Sequence, residues 1–167
     1  MKEYKKDVAI VPGSFDPITN GHVNIVKRAA DMYGKVYLAV MINPSKQYMF
    51  TIEERKSIAE AAVIDIPNVE VITSEGMLWE LTRDLGANAI VKGYRNETDL
   101  EYEKKMAEFN SAHYPDAPTV LLKADAELID LSSTAVRELI NRGDALNHFL
   151  PDKAIEEINK ISAKRKL

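Results

Sequence analysis

The segment Pro12-Gly13-Ser14-Phe15-Asp16-Pro17-Ile18-Thr19-Asn20-Gly21-His22 sits between a short apolar run and a helical pattern. It has neither the Walker spacing nor the dinucleotide G-x-G-x-x-G spacing. Its residue types still suit a phosphate. Gly13 lacks a Cβ, so an anion can approach the backbone closely, and the Ser14 hydroxyl can donate to a phosphate oxygen. Asn20-Gly21 permits a tight bend that delivers His22 into the first turn of a helix. The helix dipole disfavours a cation there, so the expected form is a neutral imidazole donating one hydrogen bond, more easily protonated beside a polyphosphate. Taken alone, His22 reads as a surface residue of a turn.

Further groups of the right type follow. Lys46 closes an Asn43-Pro44-Ser45-Lys46 turn, and a lysine on a flexible stem can follow a phosphorus through a reaction as a point charge. Lys92-Gly93-Tyr94-Arg95 places two cations around a glycine in a loop after an apolar run. Ser132-Ser133-Thr134 opens a helical pattern, where hydroxyls either cap the helix or join its free amides in holding an anion. Glu103 by itself is a helix carboxylate beside Glu101 and Lys104, Leu78 by itself is a core leucine, and His113 and His148 read as structural.

The elements that position these groups alternate along the chain. Val8–Val11, Val36–Ile42, Val69–Ile72, Ala89–Val91 and Thr119–Leu122 read as strands, and the second is apolar at consecutive positions, as in a strand buried on both faces. Between them lie helical patterns carrying Val23, Val26, Ala30 and Tyr33, closed by Gly34; Ile58, Ala61 and Ala62 behind a Thr51–Glu54 capping box; Leu78, Leu81 and Leu85, stopped by Gly86; and Tyr102, Met106 and Phe109 on one face. Two more helices end the chain, one with Val136, Leu139 and Ile140, the other with Pro151 at its first position and Ile155, Ile158 and Ile161 inside. Lys164-Arg165-Lys166 reads as a solvated, frayed end. The expected fold is α/β, a Rossmann-like doubly wound parallel sheet of five strands with helices on both faces and a helical C-terminal end, forming one domain over residues 1–167.

Composition narrows the chemistry. The chain has 167 residues, no cysteine, and 22 Lys+Arg against 26 Asp+Glu for a net charge of −4. Disulfides, thiolate catalysis and Cys-based metal sites are thereby excluded. Mild acidity argues against bulk binding of nucleic acid. No apolar run is long enough to span a membrane, and the charged start Met1–Asp7 leads into a strand pattern without a signal core, so a cytoplasmic protein is expected.

The motif Thr19-Asn20-Gly21-His22 resembles the Thr-x-Gly-His or His-x-Gly-His element of the nucleotidyltransferase superfamily. Within it, the chain closely resembles the bacterial phosphopantetheine adenylyltransferases over nearly its whole length: the Asn43–Lys46 segment, Met49-Phe50-Thr51 with Glu53-Glu54-Arg55, residues 92–95, Asp99–Glu103, and Leu131-Ser132-Ser133-Thr134. The resemblance implies a reversible reaction of ATP with 4′-phosphopantetheine to give dephospho-coenzyme A and pyrophosphate, in coenzyme A biosynthesis. It also implies Mg²⁺, held mainly by phosphates and water, and a homohexamer.

Residue by residue, the resemblance assigns Ser14 to both nucleotide and acceptor, the Phe15 backbone to ATP, and His22 to stabilising the transition state. Lys46 would bridge the phosphates of acceptor and nucleotide, Leu78 would touch pantetheine, and Lys92 would bind the acceptor phosphate. Gly93, Tyr94, Arg95 and Glu103 would contact ATP, as would Leu128, Ile129, Asp130, Leu131, Ser132, Ser133 and Thr134. The chain departs from the family at Lys92, where arginine is usual, at Tyr94, and at Leu128, where an aromatic residue is often found. Thr134 keeps the hydroxyl of a commoner serine. A nicotinamide mononucleotide adenylyltransferase and a glycerol-phosphate cytidylyltransferase are competing readings disfavoured by Lys46, the Lys92–Arg95 loop, Glu103 and the hydroxyl cluster as a set, and a nucleotide sensor without turnover is disfavoured by His22, Lys46 and Arg95.

Overall fold

A computed structural model describes residues 7–166; the reading of the charged start at residues 1–6 lies outside them. In chain order the elements are β1 (Val8–Gly13), α1 (Asn20–Met32), β2 (Lys35–Met41), α2 (Ile52–Ala62), β3 (Val69–Ser74), α3 (Leu78–Leu85), β4 (Ala89–Tyr94), α4 (Glu97–His113), β5 (Thr119–Lys123), a 3-10 turn (Ala126–Leu128), α5 (Ser133–Arg142) and α6 (Asp152–Arg165). The five strands form one sheet in the order β3-β2-β1-β4-β5, and every pairing is parallel. This is the expected doubly wound architecture, with its reversal of direction between β1 and β4.

Side-chain alternation divides the core between the two faces. Ala9, Val11, Val36, Leu38, Val40, Val71 and Val91 form one face, beneath Val26 and Ala29 of α1, Ile58 of α2, Val136 of α5 and Ile158 of α6. Ile10, Ala39 and Ile90 form the other, under Leu78, Leu81 and Leu85 of α3. The unbroken apolar run of β2 is thus explained: its odd and even residues enter different cores.

The register makes the cleft. β1 pairs with β2 from Val8 to Gly13, whereas its pairing with β4 covers only Ala9↔Ala89 and Ile10↔Ile90. Beyond Ile10 the two strands part, and β4 continues against β5 as far as Tyr94↔Lys123. Lys92, Gly93 and Tyr94 are therefore the end of a strand rather than a loop. Pro12 is tolerated in β1 because its missing N–H falls where β4 has already separated.

Other boundaries differ from expectation for local reasons. Gly34 is not a left-handed cap; its N–H and that of Lys35 donate to the Asp7 carbonyl, drawing the chain straight into β2. Gly86 and Gly143 do close α3 and α5 in the left-handed conformation. Asn20 and Gly21 are the first helical residues of α1 rather than a bend before it, and Pro151 caps α6 from outside because its ψ of 150° is extended. Arg165 is not frayed: it donates to the Met49 carbonyl at 2.9 Å and to Glu54 at 2.6 Å. Tyr102, Met106 and Phe109 share a face of α4, but that face is exposed, at 61%, 38% and 41%.

Gly93 shows how tightly β4 sits against α1. A Cβ built there would lie 2.8 Å from Ile25 Cγ1 and 3.0 Å from Cδ1. Gly93→Ala should therefore destabilise the fold by about 1–3 kcal/mol, the usual range for overpacking. Urea unfolding checks it, and an unchanged midpoint would mean that α1 can yield at no cost.

Candidate active site

The parting of β1 and β4 opens a cleft of about 370 Å³ at the carboxyl ends of the strands, within the range of small-molecule sites. Val11, Pro12 and Gly13 of β1 line it with Phe15 of the following loop, Thr19 before α1 with Gly21, His22 and Ile25 inside it, and Val91, Lys92, Gly93 and Tyr94 of β4 with Arg95 just after. Asp99 and Glu103 of α4 close one side, while Ala124, Leu128 and residues 131–134 close the other.

His22 is fixed by the start of its own helix. Thr19 is the N-cap of α1, and its Oγ1 accepts from the His22 N–H at 3.4 Å. In return the Thr19 N–H donates to His22 Nδ1 at 3.0 Å. This is a capping box in which histidine fills the place normally held by glutamate. Only an unprotonated Nδ1 can accept that bond, so the neutral ring carries its proton on Nε2. The Thr19 hydroxyl donates to the Leu131 carbonyl at 3.2 Å, which ties the 128–134 segment to the same helix start. The edge of the aromatic pair Phe15–His22, 5.1 Å between centroids and 89° between planes, fixes the ring from the side.

Phe15 itself has φ 47°, the left-handed region that side chains rarely adopt. That backbone turns its ring over Gly13, where a Cβ would lie 2.8 Å from Phe15 Cζ. The Cβ side of Gly13 is thus occupied by an aromatic ring, while its backbone still lines the cleft.

Electrostatics keep the imidazole neutral. Burial lowers the His22 pKa from 6.5 to about 4, with Lys92 and Arg95 adding in the same direction. Those cations rest on α4: Lys92 Nζ lies 3.4 Å from Glu103 Oε1, and Arg95 Nε donates to Asp99 Oδ2 at 3.1 Å. Asp99 also accepts the Arg95 N–H, and its own N–H is capped by Asn96 Oδ1. The hydroxyls of the third segment serve the fold. Ser132 Oγ accepts from Ala135 N–H as the cap of α5, Ser133 Oγ donates to the Pro17 carbonyl, and Thr134 Oγ1 accepts from Arg137. What they leave facing the cleft is the first turn of α5, whose amides have no helical partner.

The cleft therefore gathers Phe15, His22, Lys92, Gly93, Tyr94, Arg95, Glu103, Leu128, Leu131, Ser132, Ser133 and Thr134 from the expected set. Ser14, Lys46, Leu78, Ile129 and Asp130 are not among its lining residues. Ser14 is engaged through its carbonyl by Arg55, Lys46 is exposed on the 43–50 loop, and Leu78 packs with the α3 core. The sequence reading missed Thr19 as the residue that sets the tautomer and Asp99 as the partner of Arg95; both lay inside motifs it quoted. It also missed Asp16, 4% exposed, whose carboxylate accepts the Met49 and Phe50 N–H groups and so binds the 43–50 loop to the β1 loop. No group of three His, Asp or Glu side chains converges as a metal cage among the described residues.

The His22 titration has a definite direction. A pKa depressed in the folded state means that the unfolded chain binds the extra proton first, so this stabilisation is full above pH 6.5 and is lost as pH falls towards 4. Proton NMR of the ligand-free protein should show the His22 ring neutral at pH 6 and titrating near 4. In Lys92→Met the transition should move up, because one repelling cation is gone. A transition near 6.5 in the wild-type protein would show the ring to be solvated.

Comparison with known proteins agrees with this geometry. The sequence model of the cytidylyltransferase-like family matches residues 10–139. The chain is 39% identical over 156 residues to the phosphopantetheine adenylyltransferase of Clostridium tetani, covering 93% of this chain and 98% of that protein. It is 42% identical to that of Caldanaerobacter subterraneus, covering 90% and 94%, and 44% identical to that of Heliobacterium modesticaldum, covering 86% of each. With a parallel sheet that reverses at β1 and β4 and a Thr-x-Gly-His helix start in the resulting cleft, the chain belongs to the phosphopantetheine adenylyltransferases of the cytidylyltransferase-like family.

Proposed function

We propose that this chain, acting as one nucleotidyltransferase domain over residues 1–167, transfers the adenylyl group of ATP to 4′-phosphopantetheine, giving dephospho-coenzyme A and pyrophosphate, a step of coenzyme A biosynthesis. The observation that carries the reading is the bond from the Thr19 N–H to His22 Nδ1, which leaves the proton of the neutral ring on Nε2, in a cleft that also holds Lys92 and Arg95.

The chemistry follows from the groups present. An oxygen of the acceptor phosphate attacks the α-phosphorus of ATP; the new O–P bond forms as the bond to the bridging oxygen breaks, and pyrophosphate departs with that electron pair. No enzyme nucleophile is required, and positioning with charge stabilisation suffices. His22 Nε2–H donates to an oxygen of the transferred phosphoryl group as charge builds there. Arg95, the Gly93 and Tyr94 backbone and the first turn of α5 receive the phosphates of ATP. Lys92 receives the acceptor phosphate, Lys46 bridges the phosphates of acceptor and nucleotide, and Ser14 serves both substrates. Glu103, with Leu128, Ile129, Asp130 and Leu131, serves the nucleoside end, and Leu78 the pantetheine arm.

Nucleotidyltransferases typically use a metal ion with ATP. We assign Mg²⁺ to this role. Asp99 and Glu103, the carboxylates of the cleft, each stand beside a cation, and among the described residues no three His, Asp or Glu side chains converge, so the donor set fits an ion held by phosphate oxygens and water rather than by a protein cage. Such an ion would neutralise phosphate charge when bound. The reading extends to a cytoplasmic homohexamer; among the described residues no helix is long and apolar enough to cross a membrane.

Pyrophosphate release with Mg²⁺, from ATP or CTP and against 4′-phosphopantetheine, nicotinamide mononucleotide and glycerol phosphate, tests the assignment. Turnover is expected with ATP and 4′-phosphopantetheine; turnover only with another acceptor, or ATP binding without turnover, would overturn it. His22→Ala should lower kcat by about 10²–10³-fold, the loss typical of a preorganised transition-state donor. Near-normal turnover would remove His22 from the mechanism. Lys92→Arg supplies a planar fork in place of a point charge, so it should lower the KM for 4′-phosphopantetheine and leave that for ATP unchanged.

A further inference from the structure

Arg55 is the most deeply buried charged residue of the described chain, at 1% exposure, on the inner face of α2. Burying a guanidinium is costly unless its donors are satisfied. Arg55 Nη1 donates to the Ser14 carbonyl at 2.8 Å and to the Met41 carbonyl at 3.0 Å. Its guanidinium lies 3.9 Å from the ring centroid of Tyr48, while its Nε has no partner. One side chain thus touches the β1 loop, the end of β2 and the loop after β2.

That last loop is a small closed ring that bears Lys46. The Asn43 N–H donates to Tyr48 Oη at 2.8 Å, the Lys46 N–H donates to the Asn43 carbonyl at 3.0 Å, and Asn43 Oδ1 accepts from the Ser45 N–H and hydroxyl. Internal bonds give the ring its shape but do not orient it. It docks onto the body through the Tyr48 face against Arg55 and, just beyond, through the Met49 and Phe50 amides to Asp16 and the Met49 carbonyl to Arg165. Lys46 stands two residues from Tyr48, about 7 Å of chain, so a tilt of the stacked ring moves its ammonium by a comparable amount.

We infer that Arg55 and Tyr48 form a positioning pair, in which the Arg55 guanidinium holds the Tyr48 ring and thereby sets Lys46 over the acceptor side of the cleft in register with the Ser14 loop. Arg55 touches no substrate; it acts through the loop. The cation–π contact and the bond to Ser14 share one planar group, so the two loops that would flank the acceptor phosphate are fixed relative to each other rather than each to solvent. The inference rests on the role proposed for Lys46. Lysine at position 55 keeps the charge but loses both the fork and the stacking plane.

The test is a double-mutant cycle on the full chain, with pyrophosphate release and backbone hydrogen exchange as separate readouts. Tyr48→Ala and Arg55→Lys should each lower kcat with 4′-phosphopantetheine about tenfold, within the loss that a 1 Å misplacement can cause, and leave the KM for ATP unchanged. In a Lys46→Ala background the same changes should cost less than about twofold, because they act through the group already removed. Exchange should speed up at the 43–48 amides and not in β1. Should Arg55→Lys fail to fold, Tyr48→Ala, in a half-exposed loop, decides. Normal kcat in folded variants would overturn the inference, as would full, additive losses without Lys46, since those would mark a merely structural role. Normal turnover by Lys46→Ala would overturn the role of Lys46 and the inference with it. A wild-type protein inert towards ATP and 4′-phosphopantetheine would overturn the functional reading instead, and exchange alone would then decide whether Arg55 holds the loop.

Discussion

The hydrogen bond from the Thr19 N–H to His22 Nδ1 is the point on which the site depends. It is part of a helix cap, and a glutamate at position 22 would cap α1 as well. Histidine adds what a carboxylate lacks: a second nitrogen on the far side of the ring whose proton is fixed by the first bond. The same threonine holds Leu131, so the helix start, the tautomer and the 128–134 wall of the cleft are set by one residue. Phe15 then confines the ring. Its unusual backbone conformation is tolerated because the surroundings over-determine it, with Gly13 leaving room for the ring and Asp16 anchored to Met49 and Phe50.

A chain of net charge −4 meets two anionic substrates by placing its charges rather than by accumulating them. Lys92 and Arg95 lie where β4 has left β1 and still runs beside β5, so the strand geometry itself brings cations to the mouth of the cleft. Each is paired with a carboxylate of α4. Partly exposed pairs of this kind contribute about 0–1 kcal/mol, little enough for a phosphate with several charges to displace them. The carboxylates thus keep two like charges beside a neutral imidazole without committing those charges irreversibly.

Much of this was legible in the chain, and the failures have physical causes. Alternating apolar runs and helical periodicity specify a doubly wound sheet because each element needs its own burial pattern. The positions of His22 and of the 132–134 cluster at helix starts, and of Lys92 and Arg95 after an apolar run, were legible from residue type and spacing, whereas their assignment to a site came only with the family resemblance. The extension of β4 through Tyr94 was hidden, because Lys92 and Gly93 look like loop residues and become strand only through pairing with β5. The Phe15 ring beside Gly13 was hidden for a related reason: which group fills the space beside a glycine is a tertiary fact. Arg55 stood in a segment that carries the resemblance, but its place on a buried face could be read only from its partners, Ser14, Met41 and Tyr48. The apolar face of α4 shows the complementary limit, since periodicity identifies a stripe and not what covers it.

The site turns on where one proton sits, and that can be observed. ¹⁵N NMR of the imidazole of His22 at neutral pH distinguishes the two neutral tautomers and the imidazolium in the full-length, ligand-free protein. The capping geometry predicts a pyrrole-type, protonated Nε2 and a bare Nδ1. A proton on Nδ1, or a fully protonated ring at neutral pH, would contradict it, because His22 could then neither accept from the Thr19 N–H nor carry its single donor on Nε2.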